Sequence, residues 1–195
     1  ENEERPALIV VDNGWAAANS WPETARRAEL LINDAERDNR LVALLFTAPG
    51  ESAPAPIRLD SADTALRLLE SARPQAWPVD RATAAERLDD AISQDALADD
   101  LAITWLSDGT QSPGSRALAD ALNDVGTVRL IEPDAGRGAY ALAPPEVTTD
   151  GLAVDVLRSM RELPATIGIV ALGTDGRAIA RADAAFASDE GRSRV

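Results

Sequence analysis

The sequence predicts an α/β fold, with a doubly wound, mostly parallel sheet that has helices on both faces, followed by a small antiparallel β unit. Short apolar runs rich in β-branched residues alternate with helical patterns over the first part of the chain, which is typical of parallel strands buried on both faces. The helical patterns stop at the linker-like Ala143-Pro144-Pro145, and strand-like alternation follows. We therefore expect one α/β domain over residues 1–142 and a β-rich, sandwich-like domain or fragment over residues 146–195.

The first two strands and the helix between them are predicted from the spacing of apolar residues. Ala7–Val11 is a continuous apolar run and is expected to be a buried strand, and Leu41–Phe46 is a second run of the same kind. Ser20 and Glu23 match the capping box of a helix start, and apolar residues recur at helical spacing from there to Asp38.

Two further helices and a third strand are predicted in the middle of the chain. After a loop rich in Pro and Ala over Ala48–Pro56, Ile57–Leu59 is expected to be a short strand. Ser61 is placed to cap a helix, and another helix is expected over Thr83–Leu97. Leu101–Leu106 is predicted to be the third buried strand.

The last helix precedes a fourth strand and the β unit. Ser112-Pro113 is predicted to start this helix and Gly126 to end it, so that Thr127–Ile131 forms the fourth strand. In the β unit, Thr166–Leu172 and Arg177–Phe186 flank a short turn with an Asp-Gly pair, which predicts a hairpin.

Composition excludes several classes of function. The 195 residues carry a formal net charge of −14, and such an acidic surface repels nucleic acid and anionic lipid, so we expect neither as a partner. Cys and His are absent, which excludes disulfides, zinc sites with Cys or His ligands, and catalysis by Cys or His. No apolar run is long enough for a membrane helix. We expect a segment of a longer protein, attached to a membrane only through parts outside this chain.

Two acidic residues follow predicted strands directly. Asp12 comes after the first strand and Asp108 after the third. Ligands of a doubly wound sheet bind at the carboxyl ends of its strands, where the strand order reverses, so these two residues are expected to face each other if the reversal falls between them. The alternative is that each carboxylate only satisfies loop amides or caps the next helix.

The residues around these acids resemble a known family. The order of elements, with Asp12–Ala16 after the first strand and Leu106–Gly109 after a later one, resembles the von Willebrand factor A (vWA) domain. More narrowly, Ala7–Asn19, the segment 76–81 and Thr104–Gly109 resemble bacterial membrane proteins with a BatA-like, or aerotolerance-regulator, amino-terminal region. In such proteins two membrane helices precede the domain and a β-rich region follows it. The resemblance implies an inner-membrane protein whose soluble region is periplasmic.

The vWA family binds Mg²⁺ at a metal-ion-dependent adhesion site, through Asp-x-Ser-x-Ser on one loop, a Thr on a second and an Asp on a third. Here Asp12 and Asp108 match the acids and Thr83 is the candidate threonine, but Gly14 and Ala16 stand at the serine positions. Because Mg²⁺ demands a full set of oxygen ligands, the loss of two hydroxyls predicts a degenerate site. We expect no cofactor; if Mg²⁺ binds, its ligands are Asp12, Thr83 and Asp108.

Four Trp residues lie near the predicted loops. Trp105 falls inside a predicted buried strand and is assigned to the core. Trp15 and Trp21 flank the first loop and Trp77 lies in the second. These three side chains either pack the loops down as a hydrophobic lid or form a partner-binding patch, since Trp is enriched in interface hot spots.

These features favour a non-catalytic protein-interaction module over an enzyme. The expected partner is a protein, bound by the loops at the carboxyl ends of the strands. The candidate loop face comprises Asp12, Asn13, Gly14, Trp15, Trp21, Trp77, Thr83 and Asp108. Two alternatives stay open: a metal-dependent hydrolase that uses Asp12 and Asp108, and a purely structural spacer.

Overall fold

The structure, a computed structural model, describes residues 5–48, 50, 55–134, 138–149 and 151–195. The chain divides between Pro133 and Asp134 into two compact units. Among the residues described, no helix is both long enough and apolar enough to cross a membrane. The predicted loop over Ala48–Pro56 lies largely outside the described residues.

The first unit is built on a parallel sheet of four strands in the order β2-β1-β3-β4. The strands are β1 (Ala7–Val11), β2 (Val42–Phe46), β3 (Leu101–Leu106) and β4 (Gly126–Ile131). All five residues of β1 are buried, as its continuous apolar run predicts. The predicted doubly wound, mostly parallel sheet is confirmed.

Four helices cover the two faces of this sheet. They are α1 (Trp21–Arg37), α2 (Ala62–Ser71), α3 (Arg81–Ser93) and α4 (Ser115–Val125), and a single 3-10 turn spans Trp15–Ala17. Alternate residues of β1 belong to two separate cores: Ile9 packs with α1 and α2, whereas Leu8 packs with α3 and α4. This is the arrangement expected when consecutive helices cross over opposite faces of a parallel sheet.

Helix starts and one predicted strand differ in detail from the expectations. Ser20 precedes α1, but its hydroxyl donates to the Ala17 carbonyl instead of capping the helix. Ser61 caps α2 as predicted, by accepting from the Thr64 amide. The prediction of a strand at Ile57–Leu59 is wrong, because this segment contributes only one antiparallel bridge, between Asp60 and Val42.

The second unit consists of short antiparallel sheets, and no helix occurs among its described residues. One sheet has the order β11-β8-β5, and two hairpins pair β9 with β10 and β6 with β7. The strands are β5 (Tyr140–Leu142), β6 (Glu146–Thr148), β7 (Gly151–Ala153), β8 (Asp155–Arg158), β9 (Ala165–Leu172), β10 (Ala178–Phe186) and β11 (Arg192–Arg194). The predicted hairpin around the Asp-Gly pair is confirmed as β9–β10.

The second unit differs from the prediction at its start. The prediction placed residues up to Leu142 in the first domain, but β5 pairs with β8 and therefore belongs to the second unit. The strand-like alternation predicted after the linker includes residues 152–156, and these are divided between β7, which pairs with β6, and β8, which pairs with β5.

The core of the second unit is small and contains a buried cation. Val156, Ala184 and Phe186 are its buried apolar residues. The Arg158 guanidinium lies over the Phe186 ring, with 4.9 Å from Cζ to the ring centroid. Its nitrogens donate to four backbone carbonyls, those of Arg161, Leu163, Ala187 and Glu190. Arg158 therefore ties the loop after β8 to the loop after β10.

Candidate functional site

Asp12 and Asp108 meet at the carboxyl edge of the parallel sheet. Strands β1 and β3 are neighbours, while the chain order runs outward to β2 on one side and to β4 on the other, so the strand order reverses between them. The Asp108 amide donates to Asp12 Oδ2 at 3.2 Å. Only 1% of Asp12 and 2% of Asp108 is exposed. The expectation that the two acids face each other at the switch point is thus realised.

The side chain between the two carboxylates is Arg81, the first residue of α3. Its Nη2 lies 2.5 Å from Asp12 Oδ2 and 3.0 Å from Asp108 Oδ1. Its Nε lies 3.5 Å from Asp12 Oδ1, so the guanidinium approaches Asp12 with two of its nitrogens. A cation is normally unfavourable at a helix amino terminus, and the two carboxylates offset that cost here.

The other side of the guanidinium is also fully bonded. Its Nη1 donates to the Thr110 carbonyl at 2.7 Å, to the Ser115 hydroxyl at 2.9 Å and to the Ser112 hydroxyl at 3.2 Å. The Trp105 ring packs against it, with 5.2 Å from Cζ to the ring centroid. Arg81 is 1% exposed. Its hydrogen bonds give all five N–H groups of this buried guanidinium acceptors within the protein.

Asp12 accepts side-chain hydrogen bonds from two neighbouring strands besides α3. The Thr47 hydroxyl, just after β2, donates to Oδ1 at 2.6 Å. The Trp105 indole Nε1, on β3, donates to Oδ2 at 3.2 Å. Trp105 is buried, as predicted, but it also serves the ion pair as a donor. A single carboxylate therefore joins the ends of β1, β2 and β3.

Charge at this centre is not balanced by Arg81 alone, because two carboxylates face one guanidinium. The pKa of Asp108 is raised from its usual value, first by burial and then by the negative charge of Asp12. Hydrogen bonds from Thr110 and the charge of Arg81 act in the opposite direction. On balance, the surroundings of Asp108 therefore oppose its ionisation.

The residues at this edge do not fit the Mg²⁺ site that the vWA resemblance implies. The Arg81 guanidinium fills the space between the two acids. Thr83, the expected third ligand, is exposed, and its hydroxyl donates to Asp80 Oδ2 at 2.8 Å. The Asp80 side chain caps α3 and accepts from both the amide and the hydroxyl of Thr83, in the first turn of that helix. A role for Thr83 as a site residue stays a prediction.

The first serine position of the metal-binding pattern is closed by packing. A Cβ on Gly14 would lie 2.8 Å from the Val79 nitrogen and 3.1 Å from the Trp77 carbonyl oxygen. The Trp15 amide donates to the same Trp77 carbonyl at 3.0 Å. The loop after β1 is thus held against the segment 77–79, with no space for a larger residue at Gly14.

Asn13 has a structural position. It is buried, and its Oδ1 accepts from the Ala48 amide at 2.9 Å while its carbonyl accepts from the Gln75 amide at 2.7 Å. Its side chain also donates to the Arg73 carbonyl at 3.5 Å. Asn13 therefore fixes two neighbouring loops from inside and is not displayed to a partner.

The Trp residues predicted at the rim have different environments. Trp15 is 40% exposed and lies next to the buried acid centre. Trp77 is half-buried and is joined to Trp15 through the backbone hydrogen bond between them. Trp21 packs partly buried against the core on the α1 and α2 face. Of the three, Trp15 is the most exposed side chain on the candidate loop face.

Sequence reasoning missed the residues that complete the centre: Thr47, Arg81, Thr110, Ser112 and Ser115. A usable signal existed for Arg81. It stands in line with Ala84, Ala85 and Leu88 at helical spacing, which places it on the buried face of α3. An Arg in an apolar stripe requires a buried anion, and the two acids were already identified.

The fold is shared with proteins of known structure. The chain aligns with an aerotolerance-related membrane protein from Bacteroides fragilis NCTC 9343, in a form with multiple mutations to serines, at a TM-score of 0.51 and 15% identity, over 90% of this chain and 80% of that one. The predicted α/β fold is confirmed at this level.

Two further alignments are weaker. Proximal thread matrix protein 1 from the mussel byssus aligns at a TM-score of 0.47 and 8% identity, over 68% of this chain and 38% of that one. The VWA domain of SpRpn10 aligns at a TM-score of 0.38 and 9% identity, over 68% of this chain and 90% of that one. No protein-family model and no curated protein matches the sequence.

Proposed function

We propose that the chain is a non-catalytic protein-interaction module that binds a protein partner through the loops at the carboxyl ends of β1 and β3. The observation that carries this proposal is the contrast between the buried acids and their neighbour Trp15. Both carboxylates are directed inward onto Arg81, whereas Trp15 stays 40% exposed on the same edge. An exposed Trp on a rigid support is the kind of residue that dominates binding energy at interfaces.

The hydrogen bonds below Trp15 make this edge a rigid platform. Trp15 is held through Trp77, Gly14 packs on Val79, and Asp12 joins three strand ends beneath them. A loop that is already ordered loses little conformational entropy when a partner binds. This supports binding by preformed loops.

The proposed cellular setting follows the shared fold. The aligned B. fragilis protein is described as a membrane protein, and the two chains share their α/β fold. We place this module in a membrane-associated bacterial protein, on the periplasmic side of the inner membrane, with attachment through segments outside residues 1–195. Neither nucleic acid nor lipid is a proposed partner, because the net charge is −14.

A site-specific crosslinking experiment tests the proposal. A photoreactive amino acid replaces Trp15 in cells that produce the protein, and the control position is Asn39, which is exposed and precedes β2 at the opposite edge of the sheet. We expect one discrete crosslinked protein from position 15 and none of that mass from position 39. Trp15→Ala should lower recovery of that protein in a separate capture by at least about tenfold. Equal crosslinking from both positions would contradict the proposal.

The hydrolase alternative requires carboxylates that are free to bind a metal or a substrate. Arg81 binds both acids, and this favours the binding module. Phosphatase or glycosidase turnover that disappears in Asp12→Ala would reverse this preference. The spacer alternative is favoured if neither position 15 nor position 39 yields a crosslinked protein.

A further inference from the structure

We propose that the Arg81 guanidinium takes the place of the divalent cation at this edge of the sheet, so that the loop face is held together permanently and without metal. The inference concerns the same edge as the proposed function. What the inference says about partner binding rests on the proposed function. What it says about metal binding to this edge can be tested without any partner.

The first argument is the position of the guanidinium. Nη2 lies 2.5 Å from Asp12 Oδ2 and 3.0 Å from Asp108 Oδ1. A Mg²⁺ or Ca²⁺ ion bridging the same two oxygens would lie about 2.0–2.6 Å from each. The nitrogen and such an ion therefore compete for one position, and they cannot occupy it together.

The second argument is that the guanidinium has a complete set of acceptors. Nε and Nη2 bind the two carboxylates, and Nη1 binds one carbonyl and two hydroxyls on the loop that leads into α4. A buried charge with every donor satisfied is costly to remove, because breaking such a pair leaves uncompensated carboxylates in the interior. A divalent ion would have to displace Arg81 against that cost.

The third argument comes from the loop after β1. The two positions at which the family pattern places hydroxyl ligands hold Gly14 and Ala16, both buried. A hydroxyl cannot be added at Gly14 without moving the backbone of Val79. The site thus differs from the metal-binding pattern in two ways that fit together. The hydroxyl ligands of the metal are absent, and a side-chain cation lies between the acids.

The replacement changes what the edge can recognise. A bound divalent ion can leave a coordination position that an acidic group of a partner completes. Arg81 has no donor left to offer, and it is 1% exposed. Binding at this edge therefore requires neither metal nor an acidic residue inserted by the partner.

The first test uses the unmodified protein with Mg²⁺ and Mn²⁺ as probes. Calorimetry should give no saturable heat up to millimolar metal, and the thermal midpoint should differ by less than about 1 °C between metal and EDTA at matched ionic strength. Saturable binding that is lost in Asp108→Asn would overturn the proposal. If the proposed function holds, crosslinking at position 15 is also unchanged by EDTA. If the protein binds no metal and position 15 gives no crosslinked protein under either condition, only the proposed function is refuted.

The second test removes the guanidinium. Arg81→Ala should lower the thermal midpoint by about 10 °C, and millimolar methylguanidinium should restore part of this loss. Arg116→Ala is the matched control, because the Arg116 side chain is 94% exposed and its described ion pair is with Asp120 on the surface of α4. An Arg81→Ala protein with the unmodified midpoint would overturn the proposal.

A further variant covers the case in which Arg81→Ala does not fold. Arg81→Lys keeps the charge but has only three donors on one nitrogen, so it cannot bind Asp12 with two nitrogens and reach Thr110 as well. We expect a midpoint lowered by several degrees relative to Arg116→Lys. A midpoint equal to that of Arg116→Lys would show that any cationic side chain at position 81 stabilises the two acids equally well. That result would overturn the specific role of the guanidinium.

Discussion

Gly14 packs so closely on Val79 that a Cβ at position 14 would lie 2.8 Å from the Val79 backbone nitrogen. The contact is backbone against backbone, and it cannot be relieved by turning a side chain. Because the Trp77 carbonyl lies on the same side at 3.1 Å, a side chain at Gly14 would separate the loop after β1 from the segment that leads to Arg81.

Gly14→Ser should therefore destabilise the first unit, although it restores a residue of the metal-binding pattern. We expect a loss of about 1–3 kcal/mol in the free energy of unfolding, as for overpacking elsewhere. Chemical denaturation monitored by Trp fluorescence measures it. Ala18→Ser adds a hydroxyl at an exposed position of the same loop and should change the stability by less than about 0.5 kcal/mol. A Gly14→Ser protein with an unchanged free energy of unfolding would mean that the loop moves away from Val79 at little cost.

The two acids should differ in how well they tolerate an amide. Asp12 accepts at both oxygens, from Thr47 and Arg81 at Oδ1 and from Trp105 and Arg81 at Oδ2. Asp12→Asn must place its amino group against donors in either orientation, and we expect a loss of about 3–5 kcal/mol.

Asp108→Asn should cost less than Asp12→Asn. The described hydrogen bonds to the Asp108 side chain all reach Oδ1, so an amide can keep its oxygen there. The substitution also removes a charge whose pKa is raised by burial and by Asp12. Urea denaturation of both variants at pH 7 tests this order, and an Asp108→Asn protein less stable than Asp12→Asn would contradict it.

Asp80 should make the stability of the first unit depend on acid pH. Hydrogen bonds from the Thr83 amide and hydroxyl lower the pKa of Asp80 below 3.8. The stabilisation is therefore fully present above pH 3.8, the pKa of the unfolded chain, and is lost as the pH falls through the lowered value in the folded state.

This dependence is measured as the difference in unfolding free energy between the unmodified protein and Asp80→Asn. The difference should shrink as the pH falls below 3.8, since Asn caps the helix without titrating. Asp120→Asn, at an exposed position of α4, is the control and should show no such trend. A difference that is constant with pH would show that Asp80 is not stabilised in its charged form. Asp80→Ala should cost about 1 kcal/mol at neutral pH.

Arg158 should hold the second unit together as Arg81 holds the edge of the first. Arg158→Met keeps much of the apolar stem but removes the described donor to the carbonyls of Leu163 and Glu190, and one of two described donors to the Ala187 carbonyl. We expect a loss of at least about 2 kcal/mol and faster hydrogen exchange in the loops that follow β8 and β10. Arg181→Met, at an exposed position of β10, is the control. Unchanged exchange in both loops would contradict the prediction.

The strands of the first unit could be predicted because a strand that is buried on both faces needs a continuous run of apolar residues. Ala7–Val11 and Leu101–Leu106 are apolar runs, and the acids that follow them are where the parallel topology requires. Ile57–Leu59 has only two apolar residues, on either side of Arg58, and the segment forms one bridge next to it, at Asp60. Two apolar residues do not decide between a strand and a covering segment, because pairing depends on distant parts of the chain.

The sequence predicts the candidate site only in part, because the two acids and the family pattern indicate a metal as the cation between them. The hydroxyl of Thr83 and its place near a helix start fit that pattern, yet Asp80 binds that hydroxyl. Arg81 lies two residues earlier, and its burial follows from the apolar stripe of α3. Its partners Thr110, Ser112 and Ser115 do not follow from the sequence, because no local pattern connects them to residue 81.

The contacts of Arg81 also bear on the order in which the first unit assembles. Its bond to Asp12 spans 69 residues and its bond to Asp108 spans 27. Contacts of such separation form only after the intervening chain has been closed into place, and they contribute nothing to early, local structure. The edge at which we propose that a partner binds is thus completed late in folding. During synthesis Asp12 emerges long before Arg81 and Asp108, and its carboxylate must stay hydrated until both have left the ribosome.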